Sequence, residues 1–300
     1  MHMSRKWVYG LAALVVAGVS ALIVGATLGP ESGDSDPVLV SYTGKAPADT
    51  RVIGLVGERG LVWFPGNAPG NVRRIGTVSG LQDDMRLIGI DFRPQDGKLY
   101  GVGDQGGIYT ISTRDARATM VSKLTVALSG QTFDIDFNPA ANRLRVVSDA
   151  GQNLRHNIDD PAGAPAAGTT ATDTALSTPP TAGVTTGITG AAYTNNDVDA
   201  TTATTLFDLS AATDQIAVQS PANQGELAPT GKLTVDADGD AGFDISSTLR
   251  GGVSVRNAAL ATLKVDGGYR LYRVDLLTGR VAKVGSFPDR AQVTDLAIPL

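Results

Sequence analysis

Leu87–Pro94, LIGIDFRP, and Thr132–Pro139, TFDIDFNP, are two copies of one element. Each is an apolar run with Asp-Phe near its end and a Pro that breaks it. Weaker copies stand at 188–195 (ITGAAYTN), 241–247 (AGFDISS) and 293–299 (VTDLAIP). Such recurrence marks a repeat architecture. A second element, KLYGVGDQG at 98–106 and RLRVVSDAG at 143–151, follows the two clearest copies. Beyond it, GIYTISTRDARATMV at 107–121 aligns without a gap with RLYRVDLLTGRVAKV at 270–284. Both alternate apolar and polar residues about a turn, as a two-stranded hairpin does. Leu61–Val78 and Leu206–Val218 read as looser copies of this hairpin. The unit is a four-stranded meander of about 50 residues, the size of a propeller blade.

Five first elements are present, and the last has no chain left to complete it. Arg51–Val78, conversely, has later strands and no first one. Pairing Val293–Ile298 with the N-terminal strands closes a ring of five blades and removes the exposed edge. The fold class expected is all-β, a single β-propeller over 51–300. A six-bladed ring and a β-solenoid are the alternatives. Pro161–Gly187 and Asn195–Thr205 depart from the period and read as long loops, because few aromatic residues argue against packing.

Composition agrees. The 300 residues include 36 Gly and only 5% aromatics, as many short strands and turns require. There is no Cys, so disulfides and thiolate chemistry are excluded. His2 and His156 are the only histidines, which excludes multi-His metal sites. Residues 1–30 place Arg5 and Lys6 before an uncharged apolar run from Trp7 to Leu28, the pattern of an export signal or a transmembrane anchor. Its length favours the anchor, with the N-terminus inside; the small residues Val24 and Ala26 permit cleavage. Residues 31–50 read as a flexible linker. Beyond the signal, 23 of the 25 basic residues face 30 acidic ones, a net charge of −7. Such a body is a poor partner for nucleic acid or anionic lipid. The membrane is a partner only through an uncleaved N-terminal helix.

Aligning the first elements puts Asp91, Asp136 and Asp244 at one position. Asp134 and Asp295 fall two residues earlier, where Gly89, Gly190 and Gly242 stand in the other copies. In a propeller the first strands line the central channel, so these carboxylates converge. They either lock the repeat by accepting hydrogen bonds or hold a polar ligand. A Ca²⁺ ion is one such ligand, although no cofactor is otherwise expected. Ser148, Asp149, Gln152, Asn153 and Arg155 form the densest polar run and are further ligand-binding candidates. A turn with Asn153 and Arg155 facing solvent is the alternative. His156 has no evident base or nucleophile beside it and reads as a surface residue. DADGDAGFD at 236–244 begins like a calcium loop but has Ala241 where Gly is needed and Ser247 where Glu is needed. It reads as a turn between blades. Gly101–Gly103 has no helix after it and is no phosphate loop.

The stretches LIGIDFRPQDGKLYGVGDQGGIYTI, FDIDFNPAANRLRVVSDAGQNLRHN, TGAAYTNN and AGFDI resemble the bacterial family described as domain of unknown function 4394. The likeness runs in order from about Val52 to Leu300. It implies an exported, propeller-like protein and brings no activity or catalytic residue with it. Where that family has an apolar residue after NLR, this chain has His156. The function expected is a non-enzymatic binding or scaffold module of the cell envelope, holding an envelope protein or glycan. The alternative is an extracellular carbohydrate hydrolase or lyase using the channel carboxylates.

Overall fold

A computed structural model describes residues 50–300. The stretch expected to be an export signal or anchor, residues 1–30, and almost all of the expected linker, residues 31–49, lie outside the described residues. Among the described residues no helix is long and apolar enough to cross a membrane.

Among the described residues, twenty strands form five four-stranded antiparallel sheets. The first blade is β1 (Arg51–Val56), β2 (Gly60–Pro65) and β3 (Arg73–Thr77), completed on the inside by β20 (Val293–Ala297). Blade two is β4 (Leu87–Arg93), β5 (Lys98–Gly103), β6 (Gly107–Ile111) and β7 (Ala118–Lys123). Blade three is β8 (Phe133–Asn138), β9 (Arg143–Ser148), β10 (Asn153–Asn157) and β11 (Thr169–Thr172). Blade four is β12 (Ile188–Tyr193), β13 (Leu206–Ser210), β14 (Gln215–Gln219) and β15 (Leu227–Lys232). Blade five is β16 (Ala241–Arg250), β17 (Val253–Val265), β18 (Gly268–Val274) and β19 (Val281–Ser286). The ring closes as expected: β20 pairs antiparallel with β1, Ile53 facing Ala297 and Leu55 facing Asp295.

Burial grades outward from the axis. Every residue of β4 is buried, whereas β3 has none fully buried. Inner strands are covered on both faces, so they read as near-continuous apolar runs. The core is divided among the five seams between blades. Phe64 meets Phe287 edge-to-face at 5.0 Å between blades one and five. Tyr100 meets Phe137 at 5.1 Å between blades two and three. Phe207 and Phe243 share the cluster between blades four and five. Each buried ring contributes about 2–3 kcal/mol. The two-residue turn Asp266-Gly267 joins β17 to β18 with φ 51° and 77°, the left-handed pair such hairpins need.

Three sequence expectations are corrected. Leu206–Val218 is not the outer hairpin of its blade; it forms the second and third strands, and β15 supplies the fourth. Pro161–Gly187 is not wholly loop, because β11 pairs with β10 as the outer strand of blade three. An outer strand has little to cover, so Thr and Ala suffice where an inner strand needs large apolar residues. His156 is fully buried, not on the surface. Its ring nitrogens lie 2.8 Å from Ser122 Oγ and 2.9 Å from Thr170 Oγ1. Burial lowers its pKa to about 4, so the ring stays neutral and structural.

At the position two before the Asp site, glycine marks close approach of the next inner strand. A Cβ on Gly242 would lie 2.5 Å from Asp295 Cα, and one on Gly190 2.8 Å from Phe243 Cβ. Backbone atoms on β20 cannot swing aside. Gly242→Ala is therefore expected to cost about 1–3 kcal/mol by overpacking. Chemical denaturation measures this, and an unchanged midpoint would show that the seam can widen freely.

Candidate functional site

The five aligned aspartates sit on the inner strands, and each is 7% exposed or less. Their carboxylates follow one rule. Each accepts a backbone N–H from the residue that begins the equivalent step on the next blade, and most also accept their own following N–H. Asp295 takes Leu296 N–H at 2.7 Å and Ile90 N–H at 2.8 Å. Asp91 takes Phe92 N–H at 2.6 Å and Phe137 N–H at 2.8 Å. Asp134 takes Ile135 N–H at 2.9 Å and Ala191 N–H at 2.8 Å. Asp136 takes Tyr193 N–H at 3.2 Å. Asp244 takes Ile245 N–H at 2.5 Å and Ile298 N–H at 2.6 Å. Four of the five seams are thus cross-linked by carboxylates. Blade four carries Gly190 and Ala192 at these positions. Its seam with blade five is instead held by Ser247 Oγ accepting Asn195 N–H at 2.7 Å, and by Asn196 Oδ1 accepting Ser247 N–H.

Asp91, Asp136 and Asp244 converge, each offering an oxygen within 4.8 Å of the others. Burial, and then the charges of its neighbours, pushes Asp91 and Asp136 well above the usual carboxylate range. Burial raises Asp244 to about 7. Burial also raises Asp134 and Asp295, with Asp295 adding repulsion to Asp134. Three carboxylates at this spacing suit a shared proton. They are also the residues that could hold a divalent cation, but the backbone N–H groups already occupy most of the oxygens, chiefly sparing Asp136 Oδ2.

The polar run on blade three splits in two. Ser148, Asp149 and Gln152 secure the loop before β8. Ser148 Oγ donates to Ser129 O at 2.7 Å, Asp149 accepts Gln131 N–H at 2.8 Å, and Gln152 bonds Ala127 O and Ser129 N–H. Asn153 and Arg155 belong to a second constellation at the seam with blade four. Asn153 is 1% exposed, so it does not face solvent. It donates to Thr174 O and Ala222 O and accepts Arg145 Nη1 at 2.7 Å.

This constellation surrounds a cavity of about 250 Å³ lined by Arg143, Arg145, Arg155, Tyr193 and Asn223. Arg143 and Arg145 are two apart on β9 and so share a face. Arg145 is directly opposite Arg155 on β10. Like charges so placed repel, and Asp173 bridges them at 2.6 Å to Arg145 and 3.1 Å to Arg155. Arg143 pairs with Asp160 at 3.1 Å. Nearby on β13, Asp208 is fully buried with no hydrogen bond to either oxygen. Burial raises it to about 8, against the pull of Arg145. Sequence reading found Asn153 and Arg155 here but missed Arg143, Arg145, Asp160, Asp173, Tyr193, Asn223 and Asp208. The Arg-x-Arg spacing of β9 was the available signal.

A closed five-bladed β-propeller, with carboxylate-stitched inner strands and a guanidinium-lined cavity at one seam, is the class of protein these features define. Within that class, the chain belongs to the family described as Domain of unknown function (DUF4394), whose profile matches residues 60–297. No curated protein matches the sequence. Among solved structures, it is similar to a structural genomics protein of unknown function from Bacteroides thetaiotaomicron VPI-5482. That match has 9% identity and a TM-score of 0.47, covering 71% of this chain and 53% of the other. It is also similar to an auxiliary nutrient binding protein from Bacteroides ovatus ATCC 8483, with 12% identity and a TM-score of 0.42, covering 78% and 54%. A chain of a nidogen/laminin complex matches at 11% identity and a TM-score of 0.46, covering 84% and 98%. The chain spans about half the length of the two Bacteroides proteins.

Proposed function

We propose that this protein is a non-enzymatic binding or scaffold module working outside the cytoplasmic membrane. Residues 1–30 would take it there, as a retained anchor or a cleaved signal, to hold an envelope protein or glycan. The observation that carries the reading is the use of the channel carboxylates. Carbohydrate cleavage needs a protonated acid and a free base about 5–10 Å apart across an open cleft. Here the aligned carboxylates are buried and all their oxygens but Asp136 Oδ2 accept backbone N–H groups, which is work for the fold.

The test uses the full chain against a panel of extracellular polysaccharides, with the product ends assayed. No release of reducing or unsaturated ends is expected. Release that disappears in Asp136→Asn would overturn the reading in favour of the hydrolase or lyase. Fractionation is expected to find the chain in the envelope or the medium; a cytoplasmic chain would sink the location.

A further inference from the structure

We propose that the cavity between blades three and four binds the carboxylate or phosphate group of a small organic molecule. The inference rests on the binding-module reading and names a ligand class for it.

Charge is the first argument. Arg143, Arg145 and Arg155 meet only Asp160 and Asp173 as ion-pair partners, which leaves one positive charge in excess. Asp208 pairs with none of them: neither of its oxygens has a hydrogen-bond partner, and burial pushes it up to about 8. The excess charge is only partly shared with solvent, since the Arg143, Arg145 and Arg155 side chains are 6%, 2% and 24% exposed. An anion entering such a site meets guanidinium groups already desolvated and held in place, so little ordering is left to do on binding.

Unused donors are the second argument. Tyr193 Oη accepts from Arg145 Nε at 3.3 Å, and among the described residues nothing accepts its own proton. Asn223 Oδ1 accepts from Arg145 Nη2 at 2.8 Å, while its amide NH₂ has no acceptor there. Arg145 Nη2 gives only one of its two protons, to Asn223, and Arg155 Nη2 only one, to Asp173. The lining thus offers several N–H and O–H groups and little to accept in return. A neutral sugar, which brings as many donors as acceptors, would leave its hydroxyl protons unpaired. A carboxylate or phosphate brings acceptors only, and charge-assisted bonds to guanidinium are the strong kind. At about 250 Å³ the cavity admits a group the size of one sugar ring or less.

Isothermal titration of the full chain with galacturonate, glucose 6-phosphate and glucose tests the proposal. Saturable binding of at least one of the two acids, and none of glucose, is expected. Galacturonate alone would assign a carboxylate, and glucose 6-phosphate alone a phosphate. Arg155→Gln should weaken the acid about tenfold, the loss of one charged hydrogen bond. Tyr193→Phe removes a hydroxyl while sparing charge and packing, and should weaken it by a smaller factor. Failure of both acids to bind, or binding unchanged in both variants, overturns the proposal. Glucose binding as tightly as the acids also overturns it, yet leaves the binding module standing. An acid that binds and is chemically altered supports the anion site and removes the non-enzymatic reading.

Discussion

The protein is expected to lose stability as pH rises from about 4 to 8, the reverse of what paired surface carboxylates produce. Asp91, Asp134, Asp136 and Asp295 are held well above the usual carboxylate range, chiefly by burial, with Asp244 at about 7 and Asp208 at about 8. A carboxyl raised in the folded state favours folding only while protonated. Its contribution is complete below the unfolded value near 4 and is lost as pH climbs through the folded value. Asp244 and Asp208 alone place the loss between about pH 4 and pH 8. A tenfold change in proton affinity is worth about 1.4 kcal/mol, so a total of order 5 kcal/mol is at stake after relaxation of the site. For a domain this size that is roughly 10–20 °C in Tm. Two groups act oppositely. The Arg93 hydrogen bond lowers Asp159, whose stabilisation is lost only below about pH 4. Burial lowers His156 to about 4, so between there and its unfolded value near 6.5 it offsets part of the carboxylate loss as pH rises. Thermal melts of the full chain at pH 5, 6.5 and 8 check the expectation. A Tm that is flat or rises over this range would show that the buried carboxylates keep their charge at no cost.

Asp208→Ala is expected to stabilise the protein by about 3 kcal/mol at pH 7. Most buried aspartates here are used, but Asp208 accepts nothing, and both its oxygens are sealed from solvent. In the unfolded chain its carboxyl ionises freely, whereas the folded chain holds it protonated up to about pH 8. Holding the proton at pH 7, roughly three decades above the unfolded affinity, costs about 4 kcal/mol. The small void left by alanine returns about 1 kcal/mol of that. Arg145 keeps Asp173, Asn153 and Asn223 in the variant. The variant should also melt with a shallower dependence on pH. Denaturant titration decides the matter: a lower midpoint would mean that Asp208 is paired in solution, Arg145 being the cation whose pull it feels.

The inner ring was readable in the sequence because its constraints are local and repeated. An inner strand is buried on both faces, must turn at the same place in each blade, and carries Asp or Gly where the next strand comes close. LIGIDF, FDIDF and VTDLA show all of this without a partner in view. The outer strands obey weaker rules. Thr169–Thr172 has no apolar alternation, so it reads as loop, and the blade-four hairpin slides by one strand because LFDLS resembles either neighbour. The cavity was half legible. Asn153 and Arg155 stood out as polar, yet nothing in their spacing says that Tyr193 and Asn223 arrive from another blade. Nor does a polar pattern reveal that His156 is buried with its ring between Ser122 of β7 and Thr170 of β11.

The seam between blades four and five now takes on a different meaning. The other four joints are latched by groups that can gain or lose a proton, while this one is latched by a serine and an asparagine that cannot. The ring therefore has four joints whose hydrogen bonds depend on the charge of a carboxylate and one whose hydrogen bonds do not. Moving between acidic and alkaline surroundings would not loosen such a ring uniformly. The joint between blades four and five alone would keep its hydrogen bonds whatever the pH.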